Sequence, residues 1–315
     1  HLQGGVVTAA SGAERHSDPR RNARVPALTI LLLVAVVVAG VGFLLSCSPN
    51  RGPAQGVSLG LKAAAFAQSG GGGGYSKVES AALAVPLPED AVDVHVPVLM
   101  YHYVDKEPPP AGPYADGLTV RTPDFIKELE YLAENGHHTV TLADVYLAMA
   151  GVRELPAKPV ALTFDDGGLD NYEVAFPLLE EYGFRATFFV ITERIGTEGQ
   201  MDWDHLREMV AAGMSVQSHT VSHPGLPGIS DARLQSELVE SRSVISEGVG
   251  EPGYALSYPS GAYDERVIEA AKSAGYVMAV ATDHGVEVSP EAPFEITRLR
   301  VQPFLPIDTF ARLVR

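Results

Sequence analysis

Ala161-Leu162-Thr163-Phe164-Asp165-Asp166-Gly167-Gly168 decides how this chain is read. Ala161 to Phe164 has the composition of a buried strand, and it stops abruptly in two adjacent carboxylates and two glycines. Neighbouring residues at a strand end point in different directions, so the two Asp side chains can hold two jobs. One can bind a metal while the other stays free as a base. Farther along, Ser218-His219-Thr220-Val221-Ser222-His223 places two imidazoles four positions apart. They are close enough to share one ion if the backbone makes a single helical turn. One Asp and two His leave coordination positions open, which a hydrolytic metal site needs.

Working outward, apolar runs of strand length alternate with segments of helical period from Val94 onward. Strands are expected at 96–101, 138–141, 159–164, 185–191, 214–218, 254–258, 276–281 and 297–301. Helices are expected near 123–135, 142–150, 171–182, 203–212, 230–247 and 264–274. Thr122-Pro123, Asp202 and Asp264 suit helix starts, and Gly136, Gly183, Gly213 and Gly275 suit the left-handed stop after a last turn. Such alternation predicts a parallel α/β architecture, an open doubly wound sheet or a barrel. The polar residues favour the barrel. His102, Asp165 and Asp166, His219, and Tyr258 to Gly261 each follow a strand, and a barrel brings its strand ends to one mouth.

Composition narrows the partners. Over 315 residues the net charge is −16 and the apolar fraction 46%. No run of Lys or Arg marks a nucleic-acid surface, which makes a polyanionic partner a poor fit. Cys47 is the single cysteine, so no intramolecular disulfide can form. Arg20, Arg21 and Arg24 precede an uncharged apolar run from Ala27 to Leu45, about long enough to span a bilayer. It ends in Leu44-Leu45-Ser46-Cys47, similar to a bacterial lipobox. An uncleaved anchor, an acylated lipoprotein and a cleaved signal all remain open, and the first two would tether the protein outside the cytoplasmic membrane. The expected organisation is therefore a basic segment (1–26), a transmembrane or lipoprotein-signal segment (27–47), a Gly/Ala/Ser/Pro-rich flexible linker (48–93) and a catalytic domain (94–315). Asp105 to Leu118, with three consecutive prolines, reads as a surface loop or as a rim that meets polymer.

Thr163-Phe164-Asp165-Asp166-Gly167 and Ser218-His219-Thr220-Val221-Ser222-His223 resemble the first two motifs of the polysaccharide deacetylases, the NodB-homology group of carbohydrate esterase family 4. Tyr258-Pro259-Ser260-Gly261-Ala262-Tyr263-Asp264 resembles the third. The resemblance covers roughly residues 94 to 305, with the motifs in the family's order. It implies a distorted (β/α) barrel that removes acetyl groups with a divalent metal, Zn²⁺ first and Co²⁺ or Ni²⁺ as alternatives. It further implies Asp166, His219 and His223 as metal ligands and Asp165 as general base. A backbone N–H in the 259–261 turn, that of Ser260, would help to stabilise the oxyanion.

Two departures refine the resemblance. The commoner third motif carries Arg where this chain has Ser257, and the late Leu-x-x-His motif that supplies the general acid becomes Leu299-Arg300-Val301-Gln302. His102, in Val98-Leu99-Met100-Tyr101-His102-Tyr103-Val104, is the replacement acid, as in the subgroup of poly-N-acetylglucosamine deacetylases of biofilm formation. Arg298 is the candidate to orient Asp165. The expected activity is metal-dependent N-deacetylation of an N-acetylglucosamine polysaccharide. A peptidoglycan deacetylase and a non-catalytic carbohydrate-binding module on the same fold are the rivals.

Overall fold

Five buried residues in a row cannot face water on either side, and this is what residues 160–164 and their neighbours do in the computed structural model: strands with both faces covered form a parallel sheet flanked by helices. The structure describes residues 75–105, 115–286 and 288–315, all within the unit that begins at Leu61. Its elements run α1 (Lys77–Ala82), β1 (Val98–Tyr101), β2 (Tyr103–Asp105), α2 (Ala115–Leu118), β3 (Thr119–Arg121), α3 (Thr122–Glu134), β4 (His138–Val140), α4 (Leu142–Met149) and β5 (Pro159–Phe164). There follow α5 (Phe176–Glu181), β6 (Thr187–Val190), α6 (Trp203–Ala211), β7 (Ser215–Ser218), α7 (Asp231–Val249), β8 (Ala255–Ser257), α8 (Glu265–Ala274), β9 (Met278–Val280), β10 (Leu299–Arg300) and α9 (Ile307–Leu313). The helix signals do their work: Asp202 and Asp264 accept N-terminal amide hydrogens of α6 and α8, and Gly275 closes α8 in the left-handed conformation.

The main sheet is parallel throughout, in the order β10-β1-β5-β6-β7-β8-β9, with β4 pairing β5 beside β6. One chain segment touches both edges. Ile296 bridges Val280, the last residue of β9, while Leu299 pairs Leu99 of β1. The sheet is therefore curled, as the distorted barrel expects, and the strand exits share one rim. Side chains alternate across β5. Phe164 faces outward into a ring stack with Tyr101 and Phe188, at centroid separations of 5.1 and 4.7 Å. Thr163 and Asp165 face Arg298 on the other side.

The linker expected through residue 93 needs correction in its second half. Residues 75–93 are packed onto the domain. Leu83 is fully buried with Val96 and Val98, Glu79 pairs with Arg153, the Tyr146 hydroxyl donates to the Val85 carbonyl, and the Val92 amide donates to the Met149 carbonyl. A Gly/Ala/Pro-rich composition hid the buried anchor Leu83 and the partly buried Tyr75 and Leu87 that pack with it. Residues 1–74, including the 27–47 segment and Cys47, lie outside the described residues, as do most of the proline loop (106–114) and Glu287. Among the described residues no helix is long and apolar enough to cross a membrane.

Candidate active site

Strand exits bring His102, Asp165, Asp166 and His219 to one place. Asp165 follows β5 by one residue and its amide still donates to the Tyr101 carbonyl, continuing the ladder. Its side chain is buried and meets a fully buried guanidinium. Arg298 Nη1 donates to Oδ1 at 2.9 Å and Nη2 to Oδ2 at 2.7 Å, a bidentate fork. The same guanidinium also donates to Ala281 O at 2.8 Å, Thr163 Oγ1 at 3.1 Å and Ser257 Oγ at 3.1 Å. Ser257 Oγ in turn donates to Asp165 Oδ2 at 3.3 Å. Arg298 therefore reaches across the barrel from the segment before β10 into the space that the small Ser257 leaves open. Burial alone would raise the Asp165 carboxyl, but the Arg298 charge and hydrogen bonds override it and hold the group well below the usual carboxylate range.

Asp166 sits in the left-handed region at φ 75°, followed by Gly167 at φ 77°. That turn sends its carboxylate away from Arg298 and toward His219 and His223. Asp166 Oδ1 lies 3.6 Å from His219 Nε2 and 3.9 Å from His223 Nε2, too long for hydrogen bonds. His219 Nδ1 is 2.8 Å from the Ser257 carbonyl. A carbonyl only accepts, so Nδ1 carries the proton and Nε2 presents a lone pair. Burial, then the neighbouring His219, lowers the His223 imidazole and favours its neutral form. Three ligand atoms, all within 4.8 Å of one another, thus converge with their acceptors inward. Such a donor set fits a divalent cation. The other oxygen of Asp166 accepts a 3.0 Å bond from the Tyr103 hydroxyl. Burial, and then Asp166, push that phenol far above its ordinary range, so it remains a donor.

The single helical turn expected between the histidines does not form. Thr220 and His223 both take positive φ, 68° and 58°, and the segment is a tight loop. Thr220 Oγ1 accepts from the His223 amide at 3.0 Å. Glu237, a buried carboxylate on α7, accepts from the amides of Val221 at 3.0 Å and Ser222 at 2.8 Å, and from the Ser222 hydroxyl. No sequence signal marked Glu237 or Tyr103; only the packing of α7 against β7 and the turn after β1 bring them in. Glu237 holds the loop between the two histidines, so Glu237→Gln is expected to weaken metal affinity about 10- to 100-fold. Calorimetric titration of the metal-free protein with Zn²⁺ checks this, and unchanged affinity would refute it.

His102, one residue past β1, is partly buried within electrostatic reach of both carboxylates. Burial lowers its imidazole, and Asp165 and Asp166 pull it the other way. Asn171 Nδ2 donates to the His102 carbonyl at 2.8 Å, and Asp170 accepts from the Val104 amide at 2.6 Å. This pair grips the chain on both sides of Tyr103. Ser260 is exposed, at φ 55°, in the turn after β8. Gly261 at φ 71° follows, and a Cβ there would stand 2.0 Å from Thr282 Oγ1, so only glycine permits this turn.

The profile of the polysaccharide deacetylases matches residues 152–279. YxkH of Bacillus subtilis, which bears the polysaccharide deacetylase name, is 31% identical over 219 residues, covering 70% of this chain and 76% of that protein. The chain belongs to the polysaccharide deacetylase family. Members of this family are hydrolytic deacetylases that use a divalent metal. The Streptococcus pyogenes deacetylase PplD, solved in complex with acetate, is 28% identical with a TM-score of 0.66, covering 71% of this deacetylase and all of that chain. The poly-β-1,6-N-acetyl-D-glucosamine N-deacetylase of Staphylococcus aureus is 23% identical over 62% of this chain and 71% of its own. A peptidoglycan-N-acetylglucosamine deacetylase of Bacillus cereus is 31% identical over 38% of this chain and 54% of its own.

Proposed function

We propose that this deacetylase hydrolyses N-acetyl groups of an N-acetylglucosamine polysaccharide outside the cytoplasmic membrane, with partial deacetylation of a poly-N-acetylglucosamine exopolymer as its setting. The observation that carries this reading is the position of His102, at the exit of β1 and beside both carboxylates, in a chain whose late motif has no histidine. The name of the S. aureus relative supports the polymer, and that of the shorter B. cereus match keeps peptidoglycan as the rival.

Asp166, His219 and His223 would hold the divalent ion, Zn²⁺ by donor type. When bound, the ion supplies Lewis acidity and makes a water proton easier to remove. Asp165, kept ionised by Arg298, accepts the proton from the attacking water. The same fork fixes the carboxylate's plane. The backbone N–H of Ser260 would help the oxygen that gains charge. His102 returns a proton to the departing amine. Burial disfavours its charged form, and the two carboxylates stabilise the imidazolium while it carries that proton.

Acetate release from purified poly-β-1,6-N-acetylglucosamine and from purified peptidoglycan tests the reading. The exopolymer is expected to release more, and a chelator to abolish release until Zn²⁺, Co²⁺ or Ni²⁺ is restored. Greater release from peptidoglycan would reverse the substrate order; none from either would sink the proposal.

A further inference from the structure

Phe304 breaks two rules at once. Its backbone lies at φ 59°, a conformation that a bulky side chain rarely adopts, and the residue is 65% exposed. A phenylalanine kept only for packing would hide its ring, and strain at such a position persists where something else requires it. The ring is also braced. The Arg121 guanidinium lies 4.4 Å from its centroid, and Arg121 is itself gripped by Asp124, with Nε and Nη2 donating to Oδ2 at 2.9 and 2.6 Å. One face of the ring is backed, while most of its surface stays open.

The position is informative as well. Leu99 pairs Leu299, Met100 pairs Arg300, and the Val301 amide donates to the Met100 carbonyl, so β10 and β1 leave the barrel side by side. His102 comes directly after one strand and Phe304 shortly after the other. Beside the ring, Arg121, Lys127, Glu128 and Ile307 line an open cavity of about 260 Å³. An apolar platform edged by hydrogen-bonding groups is the chemistry that takes a pyranose: its C–H face lies on the ring and its hydroxyls meet the polar edge.

We propose that Phe304, braced by Arg121, is a sugar-binding platform for a pyranose unit of the polymer removed from the one being deacetylated, so that it selects chain length. This rests on the glycan reading given above. It is tested with the full chain, its metal supplied, on β-1,6-linked N-acetylglucosamine dimer and hexamer. For Phe304→Ala and Phe304→Gly the hexamer KM is expected to rise about three- to tenfold, well beyond any change for the dimer, while Phe304→Trp keeps the wild-type preference. Phe304→Gly is further expected to melt no lower than wild type, because glycine accepts the positive φ freely. Equal effects on both oligomers, an unchanged hexamer KM, or a marked drop in the melting temperature of Phe304→Gly would overturn the platform and leave the glycan reading standing. A wild-type protein that releases acetate from neither oligomer would overturn the glycan reading and the platform with it.

Discussion

Asp165→Asn is expected to lower the turnover number about 10²- to 10⁴-fold, the range that a positioned general base contributes. The asparagine keeps the shape and one acceptor for the Arg298 fork but cannot take a proton from water. Its other arm would be an amide N–H₂ turned toward a guanidinium that only donates. Metal affinity should be largely preserved, since Asp166, His219 and His223 keep their places. Initial rates of acetate release, with metal content measured on the same samples, check the claim. Full activity with full metal loading would remove Asp165 from the role of base.

The second large effect is Arg298→Met. Arg298 is fully buried and holds both oxygens of a carboxylate that is itself buried. Removing the cation leaves an uncompensated charge, and breaking such a pair costs about 3–5 kcal/mol. The sign of the pH dependence follows from linkage. In the wild-type protein the folded pKa of Asp165 is depressed, so its contribution is present above the unfolded value near 3.9 and is lost only as pH falls through the lower folded value. In Arg298→Met burial, the largest influence on the group, loses its main opposition and raises that pKa. The variant then binds a proton more readily when folded and loses stability as pH rises. Denaturant melts from pH 4 to 8 should show the gap between wild type and variant widening with pH. A constant gap would contradict the pairing. The double variant Asp165→Leu/Arg298→Met should recover much of the stability, because an apolar pair in that space leaves no buried charge, yet it should stay inactive.

Much of this architecture was legible because parallel strands covered on both faces leave continuous apolar runs such as Pro159–Phe164 and Thr187–Val190. All eight expected strands and six expected helices are present, most with shorter strand boundaries. The pieces that escaped are short or depend on distant partners. β2 and β3 are three residues each and exist by pairing with each other, and α1 is six residues whose neighbour Leu83 finds its cavity under α4. At the site, Asp165, Asp166, His219 and His223 were visible because motif and strand end coincide. Arg298 was visible only as a cation late in the chain, since the vacancy it fills is created by Ser257. Glu237 carried no signal, because a carboxylate on a helix ordinarily reads as a solvated face.

The packed stretch ahead of β1 also marks the back of the enzyme. Tyr75 lies against Ser215 and Tyr254, at the entry ends of β7 and β8, and Leu83 plugs the same end beside Val96 and Val98. His102, Asp165, Asp166 and His219 all stand at the exit ends. Tyr75 therefore stands behind the barrel. Any leash attached there would grip the enzyme by its back, leaving the mouth free to sweep over a polymer on the far side.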